Sequence, residues 1–440
     1  MSNNLRLVLT FLGLLLTTGS ALATLPIETW QTSAGSRILF VEAHDLPMLD
    51  VAVDFPAGAS RDTRERSGLA ALTLGLMRMG TQTSNEEEIS ARLDDVGADL
   101  SSRLDIDRAG YSIRTLSSAR ERAEALSVLA EVLHRPVFPA DIVEREKQRL
   151  LSALREADTK PESLLDREFK RQIYGDHPYV LRERGEVDTV APLTRKDLQD
   201  FHQRYYLAGQ AVISIIGDIT RAEAGAMAER LSAGLRRGST AAGALPAVSP
   251  VAQGIVRRIA HPATQAHIAI GQPGIKRLDP DYFPLWLGNY VLGGGGFSSR
   301  LNAEIRQKRG FAYSAYSYFS PLLVEGPFQI GLQTRKDQAD EALKVARDTL
   351  ASFIADGPTQ EELDAAKQNV VGGFPLRIDS NRKIIEYLSI IGFYRLPLTY
   401  LEDFPAAIEG VTLAQVKEAF RRRIHPERMV TVIVGGAQSP

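Results

Sequence analysis

The chain repeats itself, and that limits its fold more than any other feature. Thr194 to Gly217 reads TRKDLQDFHQRYYLAGQAVISIIG, and Thr412 to Gly435 reads TLAQVKEAFRRRIHPERMVTVIVG. Both place an apolar-periodic helix, a turn and a β-rich strand ending in glycine, matched without a gap at an offset of 218 residues. Three further echoes keep the same order at nearly that offset. Val51-Ala52-Val53 followed by Pro56 and Gly58 resembles Ile268-Ala269-Ile270 followed by Pro273 and Gly274. Gly110 to Thr115 resembles Gly326 to Gly331, and Pro139 to Glu144 resembles Pro358 to Leu363, each of the latter opening a long helix through an acidic first turn. Four echoes in one order point to duplication. Two similar units therefore replace the prior of about three domains for a chain of 440 residues.

The units separate at Arg237 to Gly254 (RGSTAAGALPAVSPVAQG), which is rich in Gly, Ala, Ser and Pro and has no hydrophobic period. That is the composition of a linker. The expected division is a leader at 1–23, a first unit at 24–236, a linker at 237–254 and a second unit at 255–440. In the leader, Arg6 precedes the apolar run Leu7 to Leu16 (LVLTFLGLLL), and Ala21-Leu22-Ala23 supplies a small-x-small cleavage pattern. The apolar run is too short to span a bilayer as a helix. The expectation is export, into a bacterial periplasm, with maturation near Thr24 and no membrane anchor left afterwards. Strands are expected at Arg37–Glu42, Leu49–Phe55 and Gly110–Leu116, and a helix at Asp141–Glu156. Strands in runs beside long helices give an α+β class rather than a doubly wound one.

Composition removes several functions. Lys plus Arg number 52 against 54 Asp plus Glu, a net charge of −2, so a nucleic-acid partner has no overall electrostatic support. Cysteine is absent, which excludes disulfides, thiolate zinc sites and a cysteine nucleophile. There is no G-x-S-x-G elbow, and the glycines at 293–296 lack the Gly-Lys-Ser/Thr of a P-loop. The seven histidines are His44, His134, His177, His202, His261, His267 and His425, and no two lie four apart as helical metal ligands would. Isolated histidines read as structural, with His177 a turn or capping residue. Glu86-Glu87-Glu88 reads as an N-capped helix start.

Several stretches resemble the pitrilysin/insulinase family of zinc peptidases, in its two-domain processing-peptidase branch. They are Ser67-Gly-Leu-Ala with Met79-Gly80-Thr81, Leu93 to Ala98 (LDDVGA) and Gly175-Asp-His-Pro-Tyr179. In the second unit they are Leu292 to Leu301 (LGGGGFSSRL) and Ile305 to Ser314 (IRQKRGFAYS). The resemblance implies two homologous mixed α/β halves of the mitochondrial-processing-peptidase type, forming half of a clamshell. Active relatives carry H-x-x-E-H on the helix after S-G-L-A, two histidines binding zinc and the glutamate acting as general base. Here Ala71, Leu74 and Gly75 stand where the two histidines and the glutamate belong, and Ala153 stands at the third-ligand glutamate. The expectation is no metal on this chain.

What the resemblance keeps is a second set. It implies that Arg306 and Tyr313 act in trans, donating to a substrate carbonyl bound at a partner's zinc, with Arg309 a competitor for the arginine role. It also implies that Gly293, Gly294, Gly295 and Gly296, with Phe297 and Ser298 at the rim, line a peptide-binding chamber. The implied function is an exported non-catalytic subunit of a heterodimeric zinc metallopeptidase. A homologous H-x-x-E-H partner would supply zinc, and the substrate would be a peptide or an unfolded polypeptide. The alternative is a catalytically inert structural or peptide-binding protein of the same fold.

Overall fold

The computed structural model describes residues 26–238 and 243–435; the leader expected at 1–23 lies outside them. The first half builds a six-stranded sheet from β1 (Glu28–Gln31), β2 (Arg37–Glu42), β3 (Met48–Phe55), β4 (Asp99–Leu104), β5 (Ala109–Leu116) and β6 (Val212–Gly217). Its order is β1-β2-β6-β3-β5-β4. The second half builds β7 (Ile255–Ile259), β8 (Gln265–Pro273), β9 (Ala312–Phe319), β10 (Pro327–Arg335) and β11 (Val430–Val434), in the order β7-β11-β8-β10-β9. With β1 removed the two sheets are the same object. In both, the pair at one edge is parallel (β2 with β6, β7 with β11) and the remaining pairs are antiparallel. Helices cover both sheets, so the chain is mixed α/β in two repeated halves, as expected.

Register refines the repeat. Ala52 pairs with Ser214 and Ser112, while Ala269 pairs with Val432 and Gly331. Ser112 therefore corresponds to Gly331, and Gly110 to Gln329 rather than to Gly326. The two glycines answer different crowding. A Cβ on Gly110 would lie 2.1 Å from the Val53 carbonyl within the sheet, and one on Gly326, before β10 begins, 1.8 Å from the Ser320 carbonyl. The long echo holds throughout. The helices Arg195–Tyr205 and Leu413–Arg423 each start on a threonine, Thr194 or Thr412, closed by a reciprocal box with Asp197 or Gln415. The strand-ending glycines are alike too: a Cβ on Gly217 would be 2.3 Å from the Met48 carbonyl, and on Gly435 2.6 Å from that of Gln265.

The halves exchange helices. Pro161–Tyr174 follows the first sheet's strands in sequence yet packs on β8 and β11 of the second sheet. Asn381–Tyr394 does the reverse, covering β3 and β6. Phe169, Ile173 and Tyr174 join Ala269, Val430 and Val432 in one apolar cluster; Ile384, Ile385 and Leu388 join Val41, Ala52 and Ile216 in the other. The equivalent small residues Ala52 and Ala269 lie under the exchanged helices. Covered on both faces, the central strands are buried along their length instead of alternating. A polar knot ties the halves as well. The Asp107 carboxylate, wholly buried, accepts from the hydroxyls of Tyr179 (2.7 Å) and Tyr394 (3.1 Å) and from the Leu323 N–H (2.8 Å).

Smaller readings meet the structure directly. The acidic run opens the helix Glu86–Asp95, capped by Asn85. His177 caps the turn at Pro178–Val180, its Nδ1 accepting the Tyr179 N–H at 3.1 Å. The described residues of 237–254 form no helix or strand. Among the described residues, no helix is long and apolar enough to cross a membrane.

Candidate functional site

The helix Leu69–Met77 starts on Gly68, in the left-handed region at φ +96. Below it the Asp62 carboxylate accepts the N–H groups of Gly68 (2.8 Å) and Ala70 (2.9 Å), fixing the helix entrance. Burial pushes the Asp62 carboxyl up to about 7, against the opposing pull of those N–H groups. One turn on, Ala71, Leu74 and Gly75 meet Ala153 of the helix Ala140–Ala157 around one open cleft of about 590 Å³. All four positions singled out in the sequence thus converge. Only Leu74 among them is buried, at 3% exposure, and a Cβ on Gly75 would meet nothing within 4 Å.

Those four side chains carry no nitrogen, oxygen or sulfur, whereas zinc is held by imidazole, thiolate or carboxylate donors. The carboxylate on the rim, Glu146, is already engaged by Arg145 (2.7 Å) and Arg149 (2.6 Å). Glu146 stands two turns before Ala153 on the same helix face. Glu183, also lining the cleft, is raised by burial. Among the described residues no three His, Asp or Glu side chains group closely enough to hold an ion. The residues present do not fit a catalytic zinc.

The counterpart region of the second half is built differently. The helix Tyr282–Asn289 runs on as a π-helix at Tyr290–Gly294, and a second π-helix spans Asn302–Gln307. Such widened turns recur at functional sites. Gly293 is buried, and a Cβ there would stand 2.3 Å from Ser317 Oγ on β9. On Gly294 it would meet Asn289 at 2.8 Å, and on Gly295 the Tyr290 carbonyl at 2.7 Å. Gly296 alone faces open space, at φ +62. The first three glycines are therefore packing positions, and the turn proper is Gly296 to Ser298. Ser298 Oγ donates to the Gly295 carbonyl at 3.0 Å, and the Gln307 amide holds the Phe297 carbonyl at 2.9 Å.

Arg306 lies between two rings. Its guanidinium carbon is 4.5 Å from the Phe297 centroid and 4.8 Å from that of Tyr313, within cation–π range. Tyr313 is 82% exposed and Phe297 64%. Among the described residues neither the Arg306 guanidinium nor the Tyr313 hydroxyl has a hydrogen-bond or ion-pair partner. Arg309 differs: its Nη1 reaches the Glu304 carboxylate at 2.7 Å and the Glu304 carbonyl at 2.8 Å. Hydrogen bonds from Lys308 and Arg309 in turn hold the Glu304 carboxyl below its ordinary range. The cleft of the first half borders β4, and Tyr313 lies on β9, the equivalent outer strand. By register the cleft residues Ser102 and Leu104 correspond to Ser317 and Phe319 of β9, the strand on which Tyr313 also lies.

Residues 37–182 match the family model described as insulinase (peptidase family M16), and residues 192–370 the one described as peptidase M16 inactive domain. A solved structure of a peptidase M16 inactive domain from Pseudomonas fluorescens is 38% identical, covers 94% of this chain and 98% of its own, and superposes with a TM-score of 0.90. A protease structure from Helicobacter pylori shares the fold at 20% identity, a TM-score of 0.86, and 93% and 100% coverage. By sequence, an uncharacterized zinc protease of Streptomyces coelicolor is 26% identical over 83% of this chain and 80% of its own. A non-peptidase homologue from Helicobacter pylori is 24% identical over 90% and 91%.

Proposed function

Because the chain belongs to the insulinase (M16) peptidase family and resembles its inactive domains, we propose that it is the non-catalytic subunit of a heterodimeric zinc metallopeptidase. A homologous H-x-x-E-H subunit brings the zinc and the general base. This chain contributes the other wall of a closed chamber and positions an extended peptide there. Arg306 and Tyr313 are its carbonyl-stabilising donors, and the turn Gly296-Phe297-Ser298 borders the substrate. Export is part of the proposal and rests on the leader, with its Arg6 and the run LVLTFLGLLL.

One observation carries this reading. Half-buried Arg306 and exposed Tyr313 are held side by side without hydrogen-bond or ion-pair partners among the described residues, while Ala71, Leu74, Gly75 and Ala153 in the cleft of the first half carry no ligand atom. A guanidinium and a phenol fixed in this way are preorganised for charge developing on an oxygen supplied from outside. Arg309, tied to Glu304, is the weaker candidate.

Gentle affinity purification of the mature chain from its host, with mass spectrometry and metal analysis, tests the partnership. A near-stoichiometric companion bearing H-x-x-E-H and zinc supports it. Recovery alone or as a zinc-free homodimer moves the reading to an inert binding or structural protein. One equivalent of zinc on this chain itself, with chelator-sensitive activity, overturns both. In the assembled pair, Tyr313→Phe is expected to lower kcat on the order of 10²–10³ while leaving assembly intact. Unchanged turnover removes the carbonyl role.

A further inference from the structure

A cavity of about 790 Å³ opens between the two halves and shares no lining residue with the cleft or with the Arg–Tyr platform. Three arginines line it. Arg37 (on β2) and Arg61 come from the first half, and Arg395, directly after the exchanged helix Asn381–Tyr394, from the second. Among the described residues no aspartate or glutamate lines it. The guanidinium groups of Arg37 and Arg395 have no hydrogen-bond or ion-pair partner among the described residues. Arg61 uses Nη1 on the Gly243 carbonyl at 2.7 Å and leaves its buried Nε without a partner. Burial, and after it the charge of Arg395, hold the Arg37 guanidinium below its ordinary pKa.

Arg395 sits in the left-handed region at φ +55, a conformation that favours glycine at a helix end. The exchanged helix Pro161–Tyr174 is followed at the same capping position, 220 residues earlier, by Gly175, which shares the positive φ of +55 but has ψ −111 where Arg395 has +42. The cavity beside Gly175, bordered by Asp176 and His177, has no arginine in its lining. A backbone site suited to glycine thus carries a cation, and it does so where two other cations already converge in a chain of net charge −2. Strained backbone under a charged side chain is a pointer to a ligand.

We propose that this cavity binds a small polyanion bearing two or more phosphate or carboxylate groups. Arg37, Arg61 and Arg395 are its ligands, and Trp30 and Phe393 are its aromatic walls. The guanidinium fork matches both oxyanions. An occupant spans Arg37 and Arg395, cancels their mutual repulsion and fastens the first half to the second.

Titration calorimetry and thermal unfolding of the full mature chain, with inorganic pyrophosphate and with citrate at fixed ionic strength, separate the phosphate from the carboxylate source. Saturable binding of at least one, with a raised unfolding temperature, is expected. Arg37→Gln and Arg395→Gly are each expected to weaken it about tenfold or more. Arg395→Gly also relaxes the left-handed backbone, so the ligand-free variant should unfold no earlier than the parent while losing the ligand-induced rise. Absence of saturable binding of both probes overturns the proposal, as does binding that both variants retain undiminished.

Discussion

Gly293 and Gly296 stand three residues apart in one run and meet opposite constraints. At Gly293 the obstacle is another strand: a Cβ would lie 2.3 Å from Ser317 Oγ and 2.5 Å from its backbone N. At Gly296 the space is open and only the backbone, at φ +62, resists a side chain. Gly293→Ala should force β9 outward and cost about 2 kcal/mol of stability, whereas Gly296→Ala should cost about 1 kcal/mol. Urea denaturation of both variants measures the difference, and equal losses would contradict the close packing of β9. Because β9 carries Tyr313, Gly293→Ala should also weaken the assembled peptidase more than Gly296→Ala does. The sequence showed four equivalent glycines, since spacing does not reveal what a missing side chain would touch. It left Arg306 and Arg309 in competition for the same reason. Their separation depends on where Glu304 turns, which a list of residues does not contain.

Elements were more legible than contacts. The helix expected at Asp141–Glu156 spans Ala140–Ala157, and the strand expected at Arg37–Glu42 has those bounds. Hydrophobic period and capping residues are local signals, so they survive without a structure. The two π-helices were not foreseen, because over five or six residues an apolar pattern does not distinguish a widened turn from an ordinary one. Nor was the helix exchange, since an amphipathic face shows that a helix packs and not on which sheet. The exchange places Asp107, between β4 and β5, against Tyr179 on one side and Tyr394 and Leu323 on the other. Asp107→Ala removes the acceptor of two buried hydroxyls and of the Leu323 N–H and should lower stability by about 3 kcal/mol. Tyr179→Phe removes a single donor and should cost about 1 kcal/mol. A Tyr179→Phe loss as large as that of Asp107→Ala would mean that the carboxylate is not the hub.

At the scale of the whole molecule, the repeat told most of the architecture before any coordinate did, because duplication fixes two halves of one topology. It says nothing of proton balance, where two buried groups act against each other. His202, stacked on Tyr206 and held by the Leu133 carbonyl at 2.9 Å, is lowered by burial to about 4. Unfolded, it titrates near its ordinary 6.5, so its contribution is complete above 6.5 and is lost as pH falls toward 4. Asp62 has the opposite sign. Raised by burial from 3.8 to about 7, it contributes fully below 3.8 and loses that contribution as pH rises toward 7. Between pH 4 and 6.5 the folded chain holds a proton on Asp62, and the unfolded chain holds one on His202. The two slopes cancel. Relative to the parent, His202→Phe should therefore tilt the pH–stability curve toward stability falling with rising pH, by about 3 kcal/mol across that window. Asp62→Asn should tilt it by a similar amount the other way, stability falling as the medium becomes acidic. Denaturation midpoints measured across the window decide the matter. If both variants keep the parent's pH profile, the two groups do not hold the protonation states that their burial dictates. If only one profile tilts, the group whose removal leaves the curve unchanged titrates alike in the folded and unfolded chains.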